Sequence, residues 1–386
     1  MKVLYLYAGA RRAFYESWRR GEVPDTQLLG LNYMKKQGVD AAFIEWRFCE
    51  WLRRIHFNLV HLPYIFAIRK YDIVFLCAGL PLVFLAKYAL RWKKPKFVIY
   101  NTYLGNALKR SHRGIAGFIT RKAIENLDII VCTARAQMPP LIAAGIAPEK
   151  IKFVPIGIDA KRFVTKEKLP LERPAKFPSE EFCLIRSPRS SLASLGSPWP
   201  LGSSPSFSRD FSFGYILSVG RDLGRDYKTL FEAVRGLPVQ VVVATKPEAV
   251  AGLTPPPNVR IRFHVPYQDM SALYAGARFV ITPLKRADNH DGSETSGQYG
   301  YLEPMAAGLP VIASDKPVVR DYIEHEKTGI LVEPENPAAL RAAVERLIAD
   351  EPLRQTLGDA AQQKVLADFT SERFASSLAE IFKLLS

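Results

Sequence analysis

Short apolar runs alternate with helix-period segments along the whole chain, and the alternation is played through twice. In the first half the runs Val3–Tyr7, Ala41–Ile44, Ile73–Cys77, Lys96–Tyr100, Ile129–Cys132 and Ile151–Val154 read as strands. In the second half Tyr215–Val219, Val239–Ala244, Val259–Phe263, Phe279–Thr282, Val311–Ala313 and Gly329–Val332 repeat the scheme. Between them lie helical stretches at Thr26–Lys36, Leu80–Trp92, Tyr227–Val234, Met270–Ala275 and Ala338–Ala349. Runs too apolar to alternate, separated by helices, belong to parallel sheets buried on both faces. The expected fold is therefore α/β, with two doubly wound Rossmann-like domains in succession. A length of 386 residues agrees with two domains.

The junction is marked by composition. Residues 183–213 carry ten Ser and four Pro in 31 positions with few acidic residues, too little apolar surface to offset ordering entropy. The expected division is 1–165 for the first domain, 166–213 for a linker with this insertion, 214–368 for the second domain, and 369–386 for a terminal helix.

Several classes are excluded or disfavoured. Cys49, Cys77, Cys132 and Cys183 are scattered without CxxC spacing, which argues against a zinc site and a disulfide framework and suits a reducing, cytoplasmic compartment. His56, His61, His112, His264, His290 and His325 show no paired metal-ligand spacing. The N-terminal apolar run is too short for a signal peptide, and the longest uncharged run, Ile73–Ala86, falls short of a bilayer span.

Charge is unevenly divided. Residues 1–200 hold 33 Lys/Arg against 15 Asp/Glu, while residues 201–386 hold 20 against 23, so the whole basic excess lies in the first half. Within 51–150 the count is 16 against 4, with Arg53, Arg54, Lys93 and Lys94 next to Trp51 and Trp92. A solvated surface explains this, as does a face for anionic lipid headgroups or for RNA. Charge alone does not choose.

The most informative segment is Ser293-Glu-Thr-Ser-Gly-Gln-Tyr-Gly-Tyr-Leu-Glu-Pro-Met-Ala-Ala-Gly-Leu-Pro-Val-Ile-Ala-Ser314. Pro304 is tolerated only in a first turn, so a helix is expected from about Tyr299 or Gly300, with its unpaired amides at Ser296–Tyr301. Such amides and the positive end of the helix dipole suit a phosphate, Gly297 permits close approach, and Glu303 stands one turn on, within reach of ribose hydroxyls. A simple turn and cap explains the same residues.

The run resembles the donor-binding signature of retaining GT-B glycosyltransferases, especially family 4, whose usual form is Glu-Gly-Phe-Gly followed by Leu-Glu-Ala-Met-Ala-x-Gly-x-Pro-Val. Glu303 takes the place of the second glutamate and Met305–Val311 fits the tail; Thr295 stands where the first glutamate is usual, with Ser-Gly-Gln replacing the Glu-Gly-Phe run. The resemblance implies that Thr295, Ser296, Gly297, Gln298 and Tyr299 line the diphosphate and that Glu294 supplies the missing carboxylate. Tyr215-Ile-Leu-Ser-Val-Gly-Arg221 looks like the strand that delivers a phosphate-binding arginine. The family's lysine about five residues on is replaced by Asp226, making Arg225 the candidate second cation; a surface salt network over Arg221, Asp222, Arg225 and Asp226 is the plainer reading.

Gly9, Thr245, Val265 and Lys285 complete the implied donor pocket. Where many members carry a histidine after the fourth strand, this chain has Asn101-Thr-Tyr, and Ile156 replaces a usual Asn. The terminal helix, Ser371–Leu385, resembles the one that crosses back to the first domain in GT-B enzymes.

The function implied is transfer of a hexose from a UDP- or GDP-sugar, catalysis resting on Arg221, Glu303 and Glu294, with retention, no cofactor and no metal. Arg53, Arg54, Trp92, Lys93 and Lys94 form the expected acceptor or membrane face, the acceptor being lipid-linked at an anionic surface. A tRNA- or small-molecule-directed transferase, a nucleotide-sugar epimerase of the same fold, and a non-catalytic nucleotide-sugar or polyanion-binding protein stay open.

Overall fold

The computed structural model describes residues 1–46, 57–110, 114–164, 214–286 and 297–386. It contains two six-stranded sheets in which every pairing is parallel. The first comprises β1 (Lys2–Leu6), β2 (Asp40–Phe43), β3 (Ile73–Leu76), β4 (Lys96–Asn101), β5 (Ile129–Cys132) and β6 (Ile151–Phe153), in the order β2-β1-β3-β4-β5-β6. The second comprises β7 (Tyr215–Val219), β8 (Val241–Thr245), β9 (Val259–Phe263), β10 (Ala277–Thr282), β11 (Val311–Ser314) and β12 (Ile330–Val332), in the order β12-β11-β10-β7-β8-β9. All twelve expected strands are present, displaced by at most two residues at an end. Their legibility has a physical cause, since central strands such as Ile73–Leu76 and Val241–Thr245 are buried on both faces. The edge strands β2 and β9 carry Asp40, Arg260 and Arg262, charges that oppose pairing with another chain.

Each sheet is doubly wound, and each has a point where strand order reverses. In the second sheet the chain runs outward through β7, β8 and β9, then returns to place β10 on the other side of β7. Ligands of open α/β sheets bind outside the carboxyl ends of the strands at such a reversal. The crevice between the ends of β7 and β10 is thus fixed by topology before any side chain is considered.

The terminal helix Ser371–Leu385 lies on the first sheet although it follows the second. Phe382 meets Tyr5 and Phe75 edge-on at 6.4 and 5.8 Å, and Phe374 meets Tyr100 at 6.2 Å. At its start Ser371 donates to Asp25 at 2.5 Å, and Ile158 exchanges backbone bonds with Phe369 and Ser371. The two sheets and this helix thereby share one core.

Two expected helices differ. Thr26–Lys36 is two 3-10 stretches, Thr26–Leu28 and Leu31–Gln37, separated by Leu29 and Gly30 at positive φ. The break lets the backbone meet the terminal helix, for a Cβ on Gly30 would lie 2.8 Å from that of Ala375. Leu80–Trp92 is an α-turn, Leu80–Val83, widening to a π-helical stretch, Phe84–Ala89, and it ends before Arg91 at φ 54°. The Ser/Pro-rich insertion of 183–213, and the whole of 165–213, lie outside the described residues.

Candidate active site

β7 ends in Val219-Gly220-Arg221, and β10 is followed by the helix Gln298–Ala306, which starts one or two residues earlier than Pro304 alone suggested. Between them opens a cleft of about 720 Å³, lined from the second domain by Gly220, Arg221, Arg225, Val265, Tyr267 and the Gly297–Gly300 turn, and from the first by Tyr100, Thr102 and Ile156. That volume is in the range of small-molecule sites, about 300–1,000 Å³. Gly297, the residue before the helix, has φ 95°, a conformation that an L side chain rarely adopts. It leads into the helix whose first residues, Gln298, Tyr299 and Gly300, line the cleft.

Arg225 is the most informative group. It is 5% exposed, its Nε and Nη1 have no hydrogen-bond partner, and no carboxylate pairs with it among the described residues. Its guanidinium lies between two backbone turns: a Cβ on Gly220 would stand 2.0 Å from Nε, and one on Gly300 would stand 2.4 Å from Nη2. A buried, unpaired cation is costly unless an anion completes it. Asp226, which could have neutralised it, instead accepts from the Thr229 amide at 3.0 Å and caps the helix Tyr227–Val234. The salt network of the plainer reading does not form around Arg225. Arg221, by contrast, is exposed at the rim and donates from Nη2 to the Val265 carbonyl at 2.9 Å.

Glu303 lies on the same side, 5% exposed. Each carboxylate oxygen accepts a phenol: Oε1 from Tyr267, and Oε2 from Tyr274 at 2.9 Å. Burial raises its pKa from 4.5 to about 7, against the opposing pull of the two tyrosine hydroxyls. Two lone pairs remain on the carboxylate for further donors. Nothing in the sequence marked Tyr267 or Tyr274, because their partner is 36 and 29 residues away.

Other expected residues are placed differently. Gln298 lines the cleft, but its buried side chain is engaged across the domain junction; it donates to the Thr133 carbonyl at 3.1 Å and to the Tyr322 hydroxyl at 2.9 Å. Tyr322 in turn donates to that same carbonyl and accepts from the Ile156 amide at 3.0 Å, so this cluster ties the second domain to the first. Arg135 and Asp321 add an ion pair at 3.0 Å across the same junction. Tyr299 stands at the rim of the cleft, partly exposed.

Thr245 is buried and, with Tyr227, donates to the Gly220 carbonyl at 2.6 and 2.7 Å, so it holds the glycine turn rather than lining the cleft. Lys285 is not among the lining residues; its amide donates to the Gly224 carbonyl and its own carbonyl accepts from Lys316. Gly9 lies at a second, smaller cavity with Arg11, Glu45 and His61, whose two ring nitrogens contact the Tyr7 and Ala78 carbonyls at 2.9 and 3.0 Å. Asn101, at the usual histidine position, caps the following helix by accepting from the Leu104 amide at 2.9 Å. Glu294, Thr295 and Ser296 lie outside the described residues, as do Arg53 and Arg54. Trp92 is half-buried under the Arg69 guanidinium, 5.1 Å from its ring, while Lys93 and Lys94 are exposed.

Two Rossmann-like domains facing a cleft, with the donor-type turn in the second, define the GT-B frame. Residues 215–364 match the glycosyl transferases group 1 family. The chain is 31% identical over 83 residues to an uncharacterized glycosyltransferase of Methanocaldococcus jannaschii, covering 22% of this chain and 21% of that protein. It is 30% identical over 83 residues to a GDP-mannose-dependent alpha-(1-6)-phosphatidylinositol monomannoside mannosyltransferase of Mycobacterium tuberculosis, covering 22% of each. The aligned stretches thus span about a fifth of these relatives. Among solved structures, the Anabaena HepE protein in complex with UDP and glucose superposes over 100% of both chains with a TM-score of 0.65 at 14% identity, a likeness of fold. The family match thus falls on the second domain and covers less than half of the chain.

Proposed function

We propose that this chain is a metal-independent, retaining glycosyltransferase of family 4 that moves a hexose from a UDP- or GDP-sugar to a lipid-linked acceptor. The observation that carries the reading is Arg225, a buried guanidinium with two unpartnered nitrogens, opening into the same cleft as Glu303. The diphosphate completes Arg225 and meets the amides that begin at Gln298; the ribose hydroxyls donate to the free lone pairs of Glu303. Charge builds on the leaving diphosphate as the glycosidic bond lengthens, and a fixed cation in a dry cleft stabilises that state more than the ground state. In the retaining step the acceptor oxygen bonds to the anomeric carbon on the face from which the diphosphate departs, and the acceptor proton passes to a departing phosphate oxygen. Ser296-Gly297-Gln298 is read as a variant of the donor signature in which the backbone of Gly297 and Gln298 meets the diphosphate. The lipid acceptor is supported by the first domain's basic excess and by the mycobacterial relative's phosphatidylinositol-linked substrate.

A panel of UDP-, GDP- and ADP-sugars tests the reading by nucleotide release and by thermal stabilisation with each free nucleotide. One base is expected to stabilise the protein and its sugar to be turned over, with no loss of rate in excess EDTA. No response to any nucleotide refutes the donor site; loss in EDTA with rescue by manganese or magnesium refutes metal independence.

A further inference from the structure

Of the expected membrane face, Arg53 and Arg54 lie outside the described residues, Lys93 and Lys94 are exposed, and Trp92 is half-buried beneath Arg69. Close by, a different surface stands open. The rings of Phe84, Tyr88 and Phe118 form one cluster, with centroid separations of 5.1, 6.1 and 5.7 Å. Tyr88 and Phe118 are nonetheless 41% and 47% exposed, Leu90 is 47% exposed, and Ile115, one turn before Phe118 on the helix Gly114–Glu125, is 81% exposed. Two elements distant in sequence thus bring Tyr88 and Phe118 together, with Ile115 one turn before Phe118 and Leu90 two residues after Tyr88 also exposed.

The surrounding charge is of one sign. Arg91 follows Leu90 in a left-handed turn, Lys93 is exposed just after it, and Arg121 is exposed one turn beyond Phe118. None of these three has a carboxylate partner among the described residues. The nearby acids are already engaged: Asp72 with Lys94, Glu125 with Lys122, and Asp128 with Lys87 and Lys96. The patch is apolar at its centre and cationic, with unpaired charge, at its margin.

We propose that the surface formed by Tyr88, Leu90, Ile115 and Phe118, rimmed by Arg91, Lys93 and Arg121, docks on a bilayer bearing anionic headgroups. A headgroup layer matches both parts, receiving aliphatic side chains and a tyrosine at the acyl boundary while its phosphates meet the rim. A nucleic acid matches the rim but leaves Ile115 and Leu90 without a partner. The docking stands apart from the transfer reaction, since no residue of this surface lines the donor cleft.

The test is sedimentation of the full chain with vesicles of phosphatidylcholine alone or with phosphatidylglycerol added. Binding is expected to the mixed vesicles, weakly or not at all to the neutral ones, and to be released as salt approaches half molar, where the Debye length is about 4 Å. The pair Leu90→Asp and Ile115→Asp should lower the partition about tenfold or more, as should the pair Arg91→Glu and Lys93→Glu. Leu384→Asp, at a leucine of the terminal helix as exposed as Ile115, should leave it unchanged. Thermal stabilisation by free nucleotide in each variant confirms the fold and reports on the donor site separately, so failure of docking and failure of the transfer reading are distinguishable. The proposal is overturned if wild-type protein ignores mixed vesicles, if both pairs bind like wild type, if Leu384→Asp loses binding equally, or if the apolar pair instead abolishes a dimer or tRNA binding.

Discussion

Glu303→Gln has two consequences of opposite sign, and their magnitudes follow from the burial of one carboxyl. In the folded protein burial holds its pKa at about 7, against 4.5 for the ordinary group. Between those values the native state keeps a proton that the unfolded chain has released, so stability falls as pH rises through that window. Above pH 7 the full penalty is present, about 3 kcal/mol at 1.36 kcal/mol per pKa unit. The glutamine side chain would fill the same volume, could still accept from one tyrosine, and would carry no charge. The variant's advantage over wild type should therefore be near its minimum at pH 4.5 and wider by about 3 kcal/mol at pH 8, a widening of roughly 6–12 °C in Tm for a domain of 150–250 residues.

Turnover should move the other way. Removing the charge that receives the ribose hydroxyls should lower it by about two to four powers of ten. Thermal melts of both proteins without nucleotide at pH 5, 6, 7 and 8, with initial rates at pH 8, read both effects. A Tm gap that does not change with pH would refute the buried, titrating carboxyl. Wild-type turnover in the variant would refute its part in the donor site.

Three further outcomes are expected. Tyr274→Phe removes a hydroxyl that lowers the Glu303 pKa, so the loss of stability should shift to higher pH; a midpoint at or below the wild-type value would show that the bond contributes nothing. Arg225→Ala should cut turnover by about two to three powers of ten, and more than Arg221→Ala at the exposed rim, in steady-state rates with saturating donor; the reverse order would show that the rim arginine is the principal cation. Gln298→Ala should cost roughly 1–3 kcal/mol in the urea midpoint through its lost bonds to Thr133 and Tyr322, whereas a raised KM for donor at an unchanged midpoint would mean that the side chain serves the diphosphate after all.

What could be read from the sequence was local. The strands were legible because both faces of each central strand are buried, which leaves a run of apolar letters with no need of context. Gly297 and Glu303 were legible because a glycine before a helix and a carboxylate one turn later are spaced within one element. Tyr267 and Tyr274 were not, because an isolated tyrosine looks the same whether its hydroxyl meets water or a buried carboxylate. The engagement of the Gln298 side chain was hidden for the same reason: its position in the motif pointed to the cleft that it lines, but its hydrogen-bond partners are 165 and 24 residues away. The break in Thr26–Lys36 was hidden too, since a helical pattern is overridden there by the approach of Ala375. Long-range contacts decide these cases, and periodicity carries no record of them.

Under the proposed function Arg225 serves as the second cation, and glycine stands on both sides of its guanidinium. At residue 226 the side chain begins a helix, and an aspartate there is well used as a cap on the Thr229 amide. A cation one residue earlier must reach the cleft from beneath the end of β7, through a gap between the Gly220 turn and the first turn of the helix Gln298–Ala306. A flat guanidinium passes where both walls lack a Cβ; with alanine at either wall the atoms would overlap at 2.0 or 2.4 Å. The Gly220 wall is held in turn by Thr245 and Tyr227 on its carbonyl, and the Gly300 wall by Thr282 on its own at 2.9 Å. The guanidinium is thus confined between the Gly220 and Gly300 backbones and meets no opposing carboxylate among the described residues. On the proposed reading such an arrangement keeps the charge in place before a diphosphate arrives and unneutralised until it does.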